Sequence, residues 1–388
     1  MRIAVIYIFI NMCLIACSQD NKPVVPGAGQ LDKVLPLIQD EKIALVANHT
    51  SLVNGQHLVD VLASEGTALV RIMNVFVPEH GFRGDIDAGE SISDQKDYVT
   101  GIPLVSLYGS HRKPRPEDLG DVDRVIFDIQ DVGVRFFTYI STLHYVMESC
   151  AEQGIPLLIL DRPNPNGGYV DGPVLEPEQR SFVGMHPVPV VYGMTIGELA
   201  SMINGEGWLA EGVTCNLTII PCLNYYHGKP VMLPVKPSPN LPGDHSIKLY
   251  PSTCFFEGTV ISEGRGTPVP FEVYGHPLLK GDFSFTPEEI PGMSANPKLK
   301  GQLCYGRDLR NFNPENGWNR IFLEWLLEAY DQFPDKEKFF IPYFDKLAGT
   351  TRLREQIEAG WNEESIRRSW ETELEAFQEI RKKYLLYP

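Results

Sequence analysis

Basic charge is scarce in this chain. Its 34 lysines and arginines stand against 50 aspartates and glutamates, a net charge of −16 over 388 residues. A nucleic-acid binder needs a basic footprint that displaces counterions from phosphates, and nothing here supplies one. Recognisable metal spacing is missing too: there is no CxxC and no HExxH, so no metal site is expected. Beyond the N-terminal stretch the cysteines are Cys150, Cys215, Cys222, Cys254 and Cys304. An odd, scattered set frames no disulfide scaffold, and all five read as small core residues. No GxGxxG follows the first apolar strand, which argues against a dinucleotide. No GxSxG elbow or Cys–His signature supports an esterase or amidase. No cofactor is expected.

Long apolar runs are also absent. A bilayer-crossing helix needs about 20 apolar residues, whereas Arg2 is followed only by the short run IAVIYIFI. That is the form of a secretory signal. Its end, Leu14-Ile15-Ala16-Cys17, resembles the bacterial lipobox, whose cysteine is lipidated and becomes the first mature residue. An ordinary cleaved signal is the alternative. The polar, Gly- and Pro-containing stretch that follows reads as a tether. The expectation is therefore a lipoprotein signal over 1–17, a tether over 18–34, and a periplasm-facing protein held to a membrane through Cys17.

What is present is an ordinary globular composition, 43% hydrophobic and 22% charged. Apolar runs alternate with helical patterns: IALVAN (43–48), LVRIMNVFV (69–77), PLVSLY (103–108), RVIFDI (124–129), IPLLILD (155–161) and NLTIIP (216–221) as strands. Between them fall helices near His57 to Ser64, from Phe136 to Cys150 at intervals of three and four, and over 194–203 with a Thr195–Glu198 capping box. Strands apolar on both faces, alternating with helices, indicate a parallel sheet covered on both sides. The fold expected is α/β, a Rossmann-like domain over 35–244, with a smaller α+β domain over 245–388 that completes the cleft. In that second part the sequence predicts helices over 318–333 and from about Glu363 to Tyr384.

Ligands in open parallel sheets bind where strands end at their carboxyl edge. Polar clusters follow three strands here: PEHGFRGDIDAGE after the second, DIQDVGVRFFTY at the fourth and DRPNPNGG at the fifth. They would place Glu79, His80, Arg83, Asp128, Gln130, Asp131, Arg135, Tyr139, Arg162 and Asn164 in one cleft. Asp85 and Asp87 read as solvated turn residues. Gly81 and Gly84 suggest unusual dihedrals or close approach to a ligand. A loop with Ser238 and Asn240 (KPSPNLPG), and FFEGTVISEGRGT with Glu257, Glu263 and Arg265, would close over the cleft.

Together PEHGFRGDIDAGE, FDIQDVGVRFFTYIST, LDRPNPNGG, PSPNLP, FEGTVISEGRGT and the closing FDKLAG…KYLLY resemble the NamZ family, from about residue 35 to the C-terminus. These are bacterial exo-acting β-N-acetylmuramidases, long grouped as a domain of unknown function. The resemblance implies a Rossmann-like domain with a smaller C-terminal domain, and release of N-acetylmuramic acid from the non-reducing end of peptidoglycan fragments. It also implies that Glu79, in PEHG, is the catalytic acid.

The residues support the same reading. Glycoside hydrolysis needs a carboxylic acid for the leaving oxygen and usually a second carboxylate. A glutamate emerging from a buried strand can be held protonated by its surroundings. Glu90, Asp128 and Asp131 compete for the second role, unless the substrate's acetamido oxygen fills it. Muramic acid carries a lactyl carboxylate, which a guanidinium would read best. Arg83, Arg135, Arg162 and Arg265 are the candidates, with Arg83 favoured because it shares a loop with Glu79. Tyr139 and Phe137 could stack on the sugar, or Phe137 could be core. The rival expectation is a non-catalytic lipoprotein that binds cell-wall sugars in the same cleft.

Overall fold

The computed structural model describes residues 22–65, 70–79, 81–83 and 95–388. Cys17, His80 and Glu90, with Gly84, Asp85, Asp87 and Gly89, lie outside the described residues.

The apolar runs form β1 (Lys42–Ala47), β2 (Arg71–Val77), β4 (Pro103–Ser106), β5 (Arg124–Asp128), β6 (Leu157–Leu160) and β7 (Leu217–Ile220), with the short β3 (Gln95–Lys96) ahead of β4. They pair in the order β3-β4-β2-β1-β5-β6-β7. Every pairing is parallel except that of β3 with β4. The two-residue period of a strand sends Ile43, Leu45, Val75, Val77, Ile126 and Leu158 to one face and Ala44, Val46, Phe76, Val125, Phe127 and Ile159 to the other. Both sets are buried, so both faces need helices.

On the first face lie α1 (Leu31–Ile38) and α2 (Leu58–Glu65), packed through Val34, Ile38, Leu58 and Leu62. The second face takes α3 (Tyr139–Gln153) and α4 (Ile196–Gly205) through Ile140, Leu143, Met147, Leu199 and Ile203. Each such side chain contributes about 1.5–3 kcal/mol by leaving water. Thr195 and Glu198 close the expected capping box, with Glu198 Oε2 accepting from the Thr195 amide at 2.8 Å.

The C-terminal part carries α5 (Asp244–Thr253), a sheet of β8 (Val273–His276), β9 (Phe283–Phe285) and β10 (Cys304–Asp308) in antiparallel order β8-β10-β9, then α6 (Glu324–Gln332), α7 (Tyr343–Ala348) and α8 (Glu371–Arg381). It does not stand apart. Phe255, Phe256, Phe271 and Phe344 join the same buried cluster as Val134 and Phe136 of the first part. The five cysteines are reduced and buried.

Three expectations change. The tether assigned to 18–34 is docked from Val25 onward: Val25 exchanges backbone hydrogen bonds with Leu223 at 3.0 and 2.8 Å, and Ala28 and Val34 are fully buried. Its few apolar residues find the sheet, which composition alone does not reveal. The helix expected over 318–333 starts only at Glu324, because the amides of Ile321 and Phe322 donate to Asp171 Oδ2 and Ser252 Oγ at 2.7 and 2.9 Å. The last helix is broken into Glu363–Arg368 and α8, with Trp370 at φ −113° between them.

Candidate active site

The chain runs outward from β1 to β2 and β4, then crosses back to β5 on the other side of β1. Connections diverge there, and loops splay apart at the carboxyl ends of the central strands. Glu79 follows β2, Asn48 follows β1, Tyr108 follows β4 and Asp131 follows β5. Tyr139 opens α3, the helix that β5 feeds.

Glu79 is half-buried, two residues past the fully buried Val77. Gly81 at φ +81° turns the chain immediately after it, in a region that a side chain would resist. Burial raises the Glu79 pKa above the ordinary carboxylate value. A hydrogen bond from Tyr108 and the charges of Arg265 and Arg112 oppose that rise, while Glu257 adds to it. A carboxyl in such a place can keep its proton further toward neutral pH than a solvated one.

Around it lie buried polar side chains: Asn48 and Tyr139, which hydrogen-bond each other, and Asp131, whose Oδ1 has no hydrogen-bond partner among the described residues. Asn48 is oriented from its other end, where Oδ1 accepts from the Thr50 amide and hydroxyl at 2.9 and 2.6 Å. Asp131 Oδ2 accepts from the Gly133 amide at 2.7 Å and from the Tyr192 hydroxyl, while Oδ1 is left alone among the described residues. Burial pushes the Asp131 carboxyl up to about 6. Burial also raises the Tyr139 hydroxyl, helped by the charges of Glu79 and Asp131 and opposed by a hydrogen bond with the Asn48 side chain. Unpaired buried polar atoms are rare, because each costs about 1–3 kcal/mol. One beside a carboxyl, with the Asn48–Tyr139 pair next to it, suits a polar ligand rich in hydroxyls and amides.

The C-terminal part supplies the opposite wall. Arg265 binds Glu257 at 2.7 Å and approaches Glu263 at 3.5 Å. Glu263 is buried and also meets Lys298 at 3.2 Å. The Lys298 ammonium donates to the carbonyls of Phe256, Thr259 and Ile261, which fixes the loop. Tyr343, partly exposed, feels the charges of Glu257, Arg265 and Glu79. The 236–243 loop reaches the end of β1, where His49 Nε2 meets the Lys236 carbonyl at 2.9 Å. In that loop the Ser238 hydroxyl accepts from the Asn240 amide at 3.3 Å, and Asn240 Nδ2 donates to Met293 O at 2.9 Å.

Other expected site residues hold the fold instead. Arg135 is fully buried and donates to the carbonyls of Pro173, Val188, Leu347 and Ala348, so it pins the two parts together and cannot read a substrate. Arg162 closes on Asp128 at 2.6 and 2.9 Å, with both side chains buried, which spends the guanidinium and both carboxylate oxygens on each other. Arg83 is held by Asp60 at 2.7 and 3.0 Å and by Asp97 at 2.7 and 2.8 Å. Gln130 Nε2 donates to the carbonyls of Asp131 and Pro163. Asn164 donates to Met194 O at 2.8 Å and packs on Gly133, where an added Cβ would lie 2.1 Å from its Oδ1. Phe137 is core, edge-on to Tyr139 and Tyr250.

Asn48, Tyr108, Arg112, Lys298 and Tyr343 were not anticipated. The strand-end rule would have found Asn48 and Tyr108, since each lies just past an apolar strand. No local signal marks Lys298 or Tyr343.

Comparison with known proteins agrees with this architecture. Residues 43–245 match the family model described as exo-beta-N-acetylmuramidase NamZ, N-terminal, and residues 248–387 match its C-terminal counterpart. The chain is 41% identical to the peptidoglycan beta-N-acetylmuramidase NamZ of Bacillus subtilis (strain 168), over 92% of this chain and 90% of that protein. A crystal structure of a DUF1343 family protein from Bacteroides fragilis NCTC 9343 superposes with a TM-score of 0.87 at 44% identity, covering 94% of this chain and 99% of that one. A second DUF1343 structure from the same organism gives 0.82 at 28% identity, with the same coverage.

Proposed function

The chain belongs to the exo-β-N-acetylmuramidase NamZ family, and from that premise we propose that it hydrolyses peptidoglycan fragments from the non-reducing end, releasing N-acetylmuramic acid. The observation that carries the mechanism is Glu79, a half-buried carboxyl with a raised pKa, bonded to Tyr108 and flanked by the buried polar side chains of Asn48, Tyr139 and Asp131. Held protonated, Glu79 delivers its proton to the glycosidic oxygen as the bond to the anomeric carbon breaks. Asp131 Oδ1, without a partner among the described residues, and the neighbouring Asn48–Tyr139 pair are the polar groups that would meet the sugar's hydroxyl and acetamido groups. Asp128 is unsuited to the second catalytic role, because Arg162 engages both of its oxygens. Among the described candidates for that role, Asp131 keeps an open oxygen. Incubation with a chromogenic β-N-acetylmuramide tests the reading: turnover supports a hydrolase, whereas binding without turnover would favour a sugar-binding protein.

The chain also has the form of a lipoprotein of the cell envelope, anchored through Cys17 and facing the periplasm. The lipobox-like Leu14-Ile15-Ala16-Cys17 supports this. Cys17→Ala should move the protein from the membrane fraction to the soluble one; unchanged membrane association would end the proposal.

A further inference from the structure

The arginines expected from sequence to read the lactyl carboxylate are already committed. Arg83 and Arg162 are paired with aspartates, Arg135 with carbonyls and Arg265 with two glutamates. A different arginine stands in the loop after β4, in the sequence His111-Arg112-Lys113. His111 Nε2 lies 3.0 Å from Asp118 Oδ2. Lys113 binds Glu148 at 3.2 Å and Glu152 at 2.6 Å. Arg112, between these anchored neighbours, is exposed and forms no ion pair with a carboxylate among the described residues.

Its guanidinium is nevertheless placed. It lies 4.3 Å above the Phe182 ring. Phe182 in turn stacks on Tyr145 at 6.3 Å, and its carbonyl accepts from Ser141 Oγ at 2.7 Å. Tyr145 and Ser141 belong to α3, the helix that Tyr139 opens at the candidate site. Cation–π attraction to an aromatic face holds a guanidinium in place without using its N–H groups, which can then make a two-pronged contact. Four residues before it, Tyr108 hydrogen-bonds Glu79, and the charge of Arg112 acts on both of those groups.

We propose that Arg112 is the specificity-determining residue that binds the lactyl carboxylate of the muramic acid unit. The assignment rests on the muramidase reading of the same site. It names a cation that recognises a free acid, so a substrate whose lactyl carboxyl is capped as an amide loses the ionic contact.

The test measures kcat/KM on two chromogenic β-muramides, one with a free lactyl carboxylate and one with its methyl amide, for the unmodified protein, Arg112→Ala and Arg112→Lys. The unmodified protein should prefer the free acid by about 10- to 100-fold. In Arg112→Ala that preference should collapse toward unity. Arg112→Lys, which keeps the charge but not the fork, should fall between the two. If Arg112→Ala slows both substrates in equal proportion, the arginine acts only on the field at Glu79 and the assignment is wrong. Collapse of the preference in Arg265→Ala alone would move the role to that residue. Turnover of neither substrate by the unmodified protein would overturn the muramidase reading itself, and the Arg112 assignment with it.

Discussion

The Tyr108 hydroxyl donates a hydrogen bond to the Glu79 carboxyl, and each group alters the proton affinity of the other. Burial raises both pKa values; the hydrogen bond favours the ionised carboxylate and so pulls Glu79 partly back. Tyr108→Phe removes that pull. The pKa of Glu79 should then rise further, and the alkaline limb of the kcat/KM profile, where a general acid loses its proton, should move to higher pH. A limb that stays in place, or moves down, would detach Tyr108 from the acid.

Asp128 and Arg162 form a buried pair at a sheet edge where sequence suggested catalysis. Removing one charge leaves the other buried without a partner, at a cost of about 3–5 kcal/mol. Asp128→Asn should therefore lower the urea midpoint by a corresponding amount. Full stability with lost turnover would return Asp128 to the chemistry.

Arg83 ties Asp60 on α2 to Asp97 beyond β3, and this makes a pH prediction. Burial alone would push the Asp97 carboxyl up, but hydrogen bonds from Arg83 and Thr100 outweigh it and hold the group well below the usual carboxylate range. A depressed folded pKa adds stability that is fully present above the unfolded value, about 3.9, and is lost as pH falls below it. Arg83→Ala should cost about 1.5–3 kcal/mol near neutral pH and flatten the acid limb of the stability curve. Its ratio of free-acid to amide turnover should match that of the unmodified protein. A collapsed ratio would restore Arg83 as the lactyl reader.

The docked N-terminal stretch gives a further comparison. A chain beginning at Lys22 keeps the Val25–Leu223 pairing and the Gly27 amide's bond to Asp161 O, 2.8 Å long. One beginning at Leu35 loses both, along with the buried Ala28 and Val34. The shorter chain should melt measurably lower, since about 1 kcal/mol moves a chain of about 150–250 residues by about 2–4 °C and a longer one by less. Equal melting temperatures would make the stretch a simple tether.

The sheet was legible because its strands are apolar on both faces, a pattern that depends on few long-range facts. Strand ends then pointed to Glu79 and Asp131 without help from the tertiary structure. Ion pairing was not legible. Arg83 finds Asp97 across 14 residues and Arg162 finds Asp128 across 34, so a free arginine and a committed one look alike in sequence. Arg112 was overlooked for the converse reason: its distinction is the lack of a carboxylate partner among the described residues, and a lack of that kind shows only once the neighbours are placed. The helix expected over 318–333 lost its first turns because side chains of Asp171 and Ser252, distant in sequence, claim the Ile321 and Phe322 amides.

The central claim is that Glu79 gives its proton to the leaving oxygen, and one substitution tests it most directly. Glu79→Gln keeps the shape and removes the donor. On a chromogenic β-N-acetylmuramide the account predicts a fall in kcat of about 100-fold or more, with KM nearly kept. A loss of only a few-fold in kcat, with the protein folded, would contradict it.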